Sequence, residues 1–203
     1  MEKEIRNLGN IQIRAVDGGN SRHIEGYALI FDTQSKYMGF YETIERGAVT
    51  QEMVNACDVF ATFDHNTNKI FARSNMGKGS LKLTVDDKGL KYEFDAPNTA
   101  LGDELIEYLK RGDIDKSSFA FYMDPDDDEA ETWESKDGVY LRTIHKIAAI
   151  CDVSPVWQPA YQDTSVSKRS LEKRNKLEAQ RQAMINKDLD VKLLELDELE
   201  HKN

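Results

Sequence analysis

A mainly β chain with a few peripheral helices is what this sequence predicts. Its strands should form a small closed or nearly closed antiparallel β-barrel, followed by a helical tail. Three observations lead there. Short apolar–polar alternations recur through residues 1–167, the period-2 mark of half-buried strands. Glycine- and aspartate-bearing turns separate them. From about residue 168 the alternation gives way to a charged segment with apolar residues at helical spacing. The chain therefore reads as a barrel domain over 1–167 and a helical or part-disordered tail over 168–203.

Each element has its own signal. Ile11, Ile13 and Ala15 alternate with polar residues. Residues 24–31 form a second strand, with Gly26 as a candidate bulge or close-approach point. Residues 40–44 make a short extended run, and Thr50 is placed to cap a helix over 51–56. Val59 to Phe63 is apolar, β-branched and aromatic, so it predicts a buried strand that stops at Asp64, His65 and Asn66. Residues 69–73 predict another strand, with a turn at Gly77 and Gly79. Residues 80–85 and 90–94 alternate about Asp86 to Gly89, a hairpin whose glycine is available for positive φ. Leu101, Leu105, Tyr108 and Leu109 predict a helix capped by Thr99 and stopped by Gly112. Residues 117–122, 139–144 and 147–153 return to strand character. Between them, Asp124 to Glu131 carries six acids in eight residues, the mark of a solvated loop. The count is about eight short strands with at most three helices before the tail, a pattern that favours closure into a barrel.

Composition excludes several classes. The net charge is −10, and residues 1–167 hold 29 acids against 18 bases, so general binding to phosphate backbones is disfavoured. No segment approaches the roughly 18 uninterrupted apolar residues of a membrane span. The first residues lack an apolar signal region, so cytosolic synthesis is the expectation. Cys57 and Cys151 are too few for a disulfide framework and have no ligand neighbours at metal spacing. No metal or cofactor is expected.

The residues that can carry chemistry are few. Only His23, His65, His145 and His201 offer an imidazole as general base. His65 stands where an apolar strand ends, a position at once near the surface and rigidly held. Ser118 opens the strand Ser117 to Tyr122, just after the helix stop. Neither context assigns a role alone. The nucleophile elbow G-x-S-x-G, the zinc motif H-E-x-x-H, the P-loop and paired C-x-x-C are all absent from the sequence.

An ordered set of short segments adds what patterning lacks. It runs through Glu25-Gly26-Tyr27-Ala28 and Phe31, then Gly39-Phe40, Glu42, Ile44 and Gly47-Ala48. It continues through Phe63-Asp64-His65-Asn66, Ala72-Arg73, Gly79, Leu81, Leu83 and Gly89-Leu90. It closes with Ser118-Phe119-Ala120-Phe121, Asp152-Val153-Ser154 and Pro159-Ala160-Tyr161. Together these resemble the prohead proteases of HK97-type phages. That family is similar in fold to the herpesvirus assembly proteases, so the resemblance implies their small β-barrel ringed by helices. It implies His65 as base and Ser118 as nucleophile. The family's glycine in the serine segment is replaced here by Ala120. Asp152 falls on the acidic position of the family's Glu-Val-Ser segment and is expected to complete a triad. His145 is the alternative third member, because the herpesvirus relatives use a second histidine. Arg142 and Arg73 are charged candidates for stabilising an oxyanion, with Arg73 matching a recurring Gly-Arg position of the family; a structural ion pair is the other role open to Arg73.

The resemblance further implies a serine endopeptidase acting on major capsid protein and scaffold segments, and on itself, inside the assembling prohead in the host cytoplasm. It implies possible homodimerisation. The tail has six bases against two acids over Lys168 to Arg181. Its apolar stripe of Ile185, Leu189, Leu193, Leu196 and Leu199 is a candidate for scaffold or shell binding, or for self-cleavage. Two other readings stand beside this one: an inactive scaffold or capsid-binding module with the same fold, and a β-barrel that binds a small ligand.

Overall fold

The computed structural model describes residues 3–7, 14–15, 22–157, 175–176, 179–187, 189 and 192. The chain divides into two compact units, 1–163 and 164–203. The boundary expected at 167/168 lies outside the described residues.

The first unit is built from strands β1 (Lys3–Asn7), β2 (Arg14–Ala15), β3 (His23–Ile30) and β4 (Tyr41–Ile44), then helix α1 (Gln51–Ala56). Next come β5 (Asp58–Phe63), β6 (Asn66–Asn75), β7 (Lys78–Gly79), β8 (Lys82–Val85) and β9 (Gly89–Asp95). Helix α2 (Ala100–Arg111) precedes β10 (Lys116–Tyr122), β11 (Glu131–Lys136), β12 (Val139–Ile144) and β13 (Ala149–Val156). Both expected helices start where their caps predict. The Thr50 hydroxyl accepts from the Met53 N–H at 3.2 Å, and the Thr99 hydroxyl accepts from the Gly102 N–H at 3.3 Å. Gly112 ends α2 in the left-handed region, at φ 78°.

The strands form three sheets rather than one closed barrel among the described residues. The orders are β1-β10-β13-β5-β6-β7, β2-β3-β9-β8 and β11-β12-β4. The expectation of an all-antiparallel barrel is corrected at two places. β13 runs parallel to β5, and β12 runs parallel to β4. Period-2 alternation reports which face a strand buries, not which strand lies beside it, so patterning had no access to these pairings.

Three elements were not predicted: β1, β11 and the two-residue β7, which falls where the sequence predicts the turn at Gly77 and Gly79. β11 is mostly exposed and polar, an edge strand with no apolar face to announce it. β1 carries Glu4 and Arg6 on its buried side. A third correction concerns Gly89, which does not take a positive φ. Its need is space: a Cβ there would come 2.0 Å from the Leu29 carbonyl oxygen. Gly26, the candidate bulge point, pairs regularly with Tyr92; the bulge in β3 falls between Tyr27 and Leu29, with Ala28 as the extra residue.

The core joins Ile24, Leu29, Leu90, Tyr92, Leu105, Phe119, Phe121 and Ile150, all at most 1% exposed. Phe119 and Phe121 stack at 5.2 Å between centroids on one face of β10. Ser118 and Ala120 occupy the other face and are equally buried. β10 is thus packed on both sides, which fixes the side chain of every second residue against a rigid neighbour.

A buried ionic cluster ties β1 to the β11-β12-β4 sheet. Arg6 donates to Glu42 from Nε at 2.6 Å and to Glu4 from Nη2 at 2.5 Å. Arg142 donates from Nη1 to Glu4 at 2.7 Å and to Glu42 at 2.8 Å, and from Nε to Glu131 at 2.6 Å. Burial works to raise the Glu4 carboxyl, but Arg142 and then Arg6 outweigh it and hold it down at about 2. A carboxyl depressed in the folded state stabilises the fold above its ordinary value of 4.5, and that contribution is lost as pH falls toward 2. Acid titration followed by circular dichroism is therefore expected to show stability draining away between about pH 4.5 and 2. Flat stability across that window would contradict the pairing.

In the second unit, residues 179–187 are helical and exposed. Ile185 and Leu189 of the expected stripe are 52% and 53% exposed. Leu193, Leu196 and Leu199 lie outside the described residues.

Candidate active site

Three strands of the six-stranded sheet set the site in a row. β10 and β13 pair with Ser118 opposite Ser154. β13 and β5 pair with Asp152 opposite Phe60 and Val153 opposite Ala61. One further step along that register brings Thr62 beside Ser154, where their hydroxyls meet at 2.8 Å. Asp152 and Ser154 lie two residues apart on one strand and so share a face. A bulge next to the site, where Ala120 pairs with Asp152 but Phe121 pairs with Ile150, sets Cys151 as the extra residue.

His65 reaches this row from the turn joining β5 to β6. Asp64 and His65 both lie in the left-handed region, at φ 52° and 57°. They are the two central residues of a hairpin whose ends, Phe63 and Asn66, pair directly. Such a turn favours Asn-Gly or Asp-Gly. Histidine at the second position carries a backbone cost of order 1 kcal/mol that glycine would not. Asp32, Met76 and Asp137 hold the same left-handed conformation in turns elsewhere, so it is the contacts of His65 that set its turn apart. The turn is anchored by the Asp64 N–H on the Pro155 carbonyl at 3.1 Å and the His65 N–H on the Ser154 hydroxyl at 3.3 Å.

The imidazole bridges a carboxylate and a hydroxyl. His65 Nδ1 lies 2.6 Å from Asp152 Oδ1, and Nε2 lies 2.5 Å from Ser118 Oγ. An ionised carboxylate only accepts, so Nδ1 bears the hydrogen and, in the neutral ring, Nε2 turns its lone pair to Ser118. Ser118 Oγ also lies 3.0 Å from the Arg6 carbonyl of β1. Its one hydrogen thus faces two acceptors. Ser118 is fully buried, while the His65 side chain keeps 12% exposure.

Asp152 receives more than the imidazole. Ser154 Oγ donates to Oδ1 at 2.6 Å and Thr62 Oγ1 to Oδ2 at 2.7 Å. Burial works to raise its carboxyl; the hydrogen bond and charge of His65, then the hydroxyls of Ser154 and Thr62, outweigh burial and hold it below its ordinary value.

The other candidates lie elsewhere. His145 bonds through Nδ1 to Glu45 at 2.7 Å and through Nε2 to Thr132 at 2.9 Å. His65 Nδ1 meets Asp152 in the place the alternative gave to a second histidine. Arg142 sits in the buried ionic cluster, 2% exposed. Arg73 clasps Asp58 with Nε at 2.7 Å and Nη2 at 2.6 Å, its guanidinium over the Phe60 ring. In an acidic body both arginines are committed to carboxylates. Asp64 is the first turn residue and His65 the second. Sequence reasoning missed Thr62 and the Arg6 carbonyl, and gave Ser154 no role. The signal for Ser154 was its two-residue spacing from Asp152.

Among the described residues one cluster has metal-ligand chemistry: His23, Glu25 and Glu93 bring ligand atoms within 4.8 Å of one another across β3 and β9. The Lys91 ammonium already sits there, 2.7 Å from Glu25 and 3.3 Å from Glu93. Among the described residues no helix is long and apolar enough to cross a membrane.

Comparison with curated proteins and with solved structures found no match. A family model does match, over residues 9–177, which include the whole segment from His65 to Asp152. By that match the chain belongs to the family described as Caudovirus prohead serine protease, the relationship its short segments suggested.

Proposed function

We propose that this chain is a serine endopeptidase of prohead maturation, with Ser118 as nucleophile, His65 as general base and Asp152 as the orienting carboxylate. What supports the reading above all is the unbroken hydrogen-bonded line from Asp152 through His65 to Ser118, at 2.6 and 2.5 Å. Nucleophile, base and orienter each lie within the reach that proton transfer requires. An inactive assembly module has no need of an imidazole held within hydrogen-bond reach of both a buried carboxylate and a serine hydroxyl.

The reaction is acyl transfer. His65 Nε2 takes the Ser118 hydrogen as Oγ attacks the carbonyl carbon of a peptide bond. Asp152 stabilises the imidazolium that forms. The imidazolium then gives its proton to the departing amine, leaving an ester on Ser118. Water, deprotonated by His65, hydrolyses that ester and restores the hydroxyl. Family membership points to segments of capsid and scaffold protein as substrates, met inside the prohead in the host cytoplasm, with the chain's own tail as a further target.

A fluorophosphonate probe tests the reading without knowledge of the cleavage sequence. It is expected to form a covalent adduct on the peptide containing Ser118, and the adduct is expected to vanish in His65→Ala. An adduct confined to another residue, or equal labelling of the His65 variant, would overturn it.

A further inference from the structure

We propose that Thr62 and Ser154 are positioning residues of this site, a hydroxyl pair that holds the Asp152 carboxylate in line with His65. The inference rests on the reading of Ser118, His65 and Asp152 as catalytic.

The geometry is specific to that task. Each hydroxyl donates to a different oxygen of Asp152, Ser154 to Oδ1 and Thr62 to Oδ2. The two carboxylate oxygens are thereby fixed in plane, and the one facing His65 cannot rotate away without breaking both bonds. The residues are 0% and 1% exposed, so water does not replace a lost hydroxyl cheaply. Ser154 does a second job. Its oxygen accepts the N–H of His65, so one side chain fixes both the carboxylate and the left-handed turn that presents the base.

Hydrogen counting points the same way. Thr62 and Ser154 have one hydroxyl hydrogen each. If both point to Asp152, the 2.8 Å contact between their oxygens has no hydrogen left to fill it. If instead one hydroxyl donates to the other, the second still has only Asp152 to donate to, so in every arrangement at least one hydrogen of the pair goes to the carboxylate.

Among the described residues, three titratable groups act on Asp152 or are acted on by it. His65 comes from the turn, Cys151 is its chain neighbour, and the buried Tyr92 comes from β9. Tyr92 bonds the Ser117 hydroxyl at 2.5 Å. Removing the hydroxyl pair leaves the carboxylate with the imidazole as its remaining strong donor. The carboxyl then rises, and the acid limb of activity moves to higher pH.

The test uses the full chain and the fluorophosphonate probe, reading the maximal labelling rate, the half-saturating probe concentration and the pH profile. Thr62→Val keeps the shape and removes the hydroxyl; Thr62→Ser restores it; Ser154→Ala removes the other. Thr62→Val and Ser154→Ala are each expected to lower the maximal rate about tenfold, the loss of one hydrogen bond to a charged group. Half-saturation is expected to stay within about twofold and the acid limb to shift upward. Thr62→Ser is expected to recover the wild-type rate and profile. If Ser154→Ala does not fold, Thr62→Val and Thr62→Ser decide the question between them. Wild-type rate and pH profile in Thr62→Val would overturn the proposal. Failure of the underlying reading looks different: the wild-type chain would then not label at Ser118 at all.

Discussion

On the proposed mechanism, replacing Ser118 by alanine is expected to lower processing of a co-expressed capsid protein by at least about 10⁴-fold, with the fold intact. The size follows from the site's unity. His65 and Asp152 have no proton to move once the hydroxyl is gone, so removing one member removes the work of all three. The variant should remain folded because alanine fits the space. Ala120, two residues on and on the same face of β10, is buried there already. The hydroxyl's bonds to His65 and to the buried Arg6 carbonyl are lost, a cost of about 1–3 kcal/mol that leaves the packing of β10 in place. Co-expression of each form with the major capsid protein, read on a denaturing gel, gives the result. Equal processing by the alanine variant would end the catalytic assignment, and loss of processing with loss of the circular dichroism spectrum would leave it without support.

The largest effect on stability is expected from Arg142→Met. The substitution preserves much of the volume and deletes the guanidinium that Glu4, Glu42 and Glu131 share. Two of those carboxylates are nearly fully buried, and Arg6 alone then faces both. Breaking a buried ion pair from one side costs about 3–5 kcal/mol, because the stranded charge stays desolvated. Urea unfolding should register a shift of that order with little change in slope. Arg73→Met is the contrast. Its pairing with Asp58 is on the surface, and little change in stability is expected. The pair of variants also decides between roles. If Arg142 or Arg73 steadied an oxyanion, its loss would cut the labelling rate of a chain that remains fully folded.

How much of this was legible in the sequence depended on the kind of signal. Helices α1 and α2 were readable because Thr50, Thr99 and Gly112 each satisfy a local requirement of a helix end. Strands β3, β5, β9 and β10 were readable because apolar residues mark a buried face. β1 was not, since the side chains it buries are Glu4 and Arg6. Charges are buried only with partners, and their partners sit on β4, β11 and β12, far along the chain. Arg142 was noticed as a cation and given a role near the reaction for the same reason: pairing at long range leaves no local trace. The residues of the site were legible only through the order of short segments from Phe63 to Ser154. Thr62 escaped because a threonine in an apolar strand looks like packing, and only the parallel β13–β5 register brings it to Asp152. The barrel was an inference from strand number, and number does not fix neighbours.

The hairpin bearing Asp64 and His65 has a practical consequence for anyone who would engineer this chain. Glycine at 65 would relax the backbone by about 1 kcal/mol. It would also take from the buried Asp152 the imidazole that holds its carboxyl down, and a buried charge that loses such a partner costs about 1–3 kcal/mol. The strain of the turn is thus already offset by the bond it presents, and a screen for thermal hardness has no reason to write glycine into this codon.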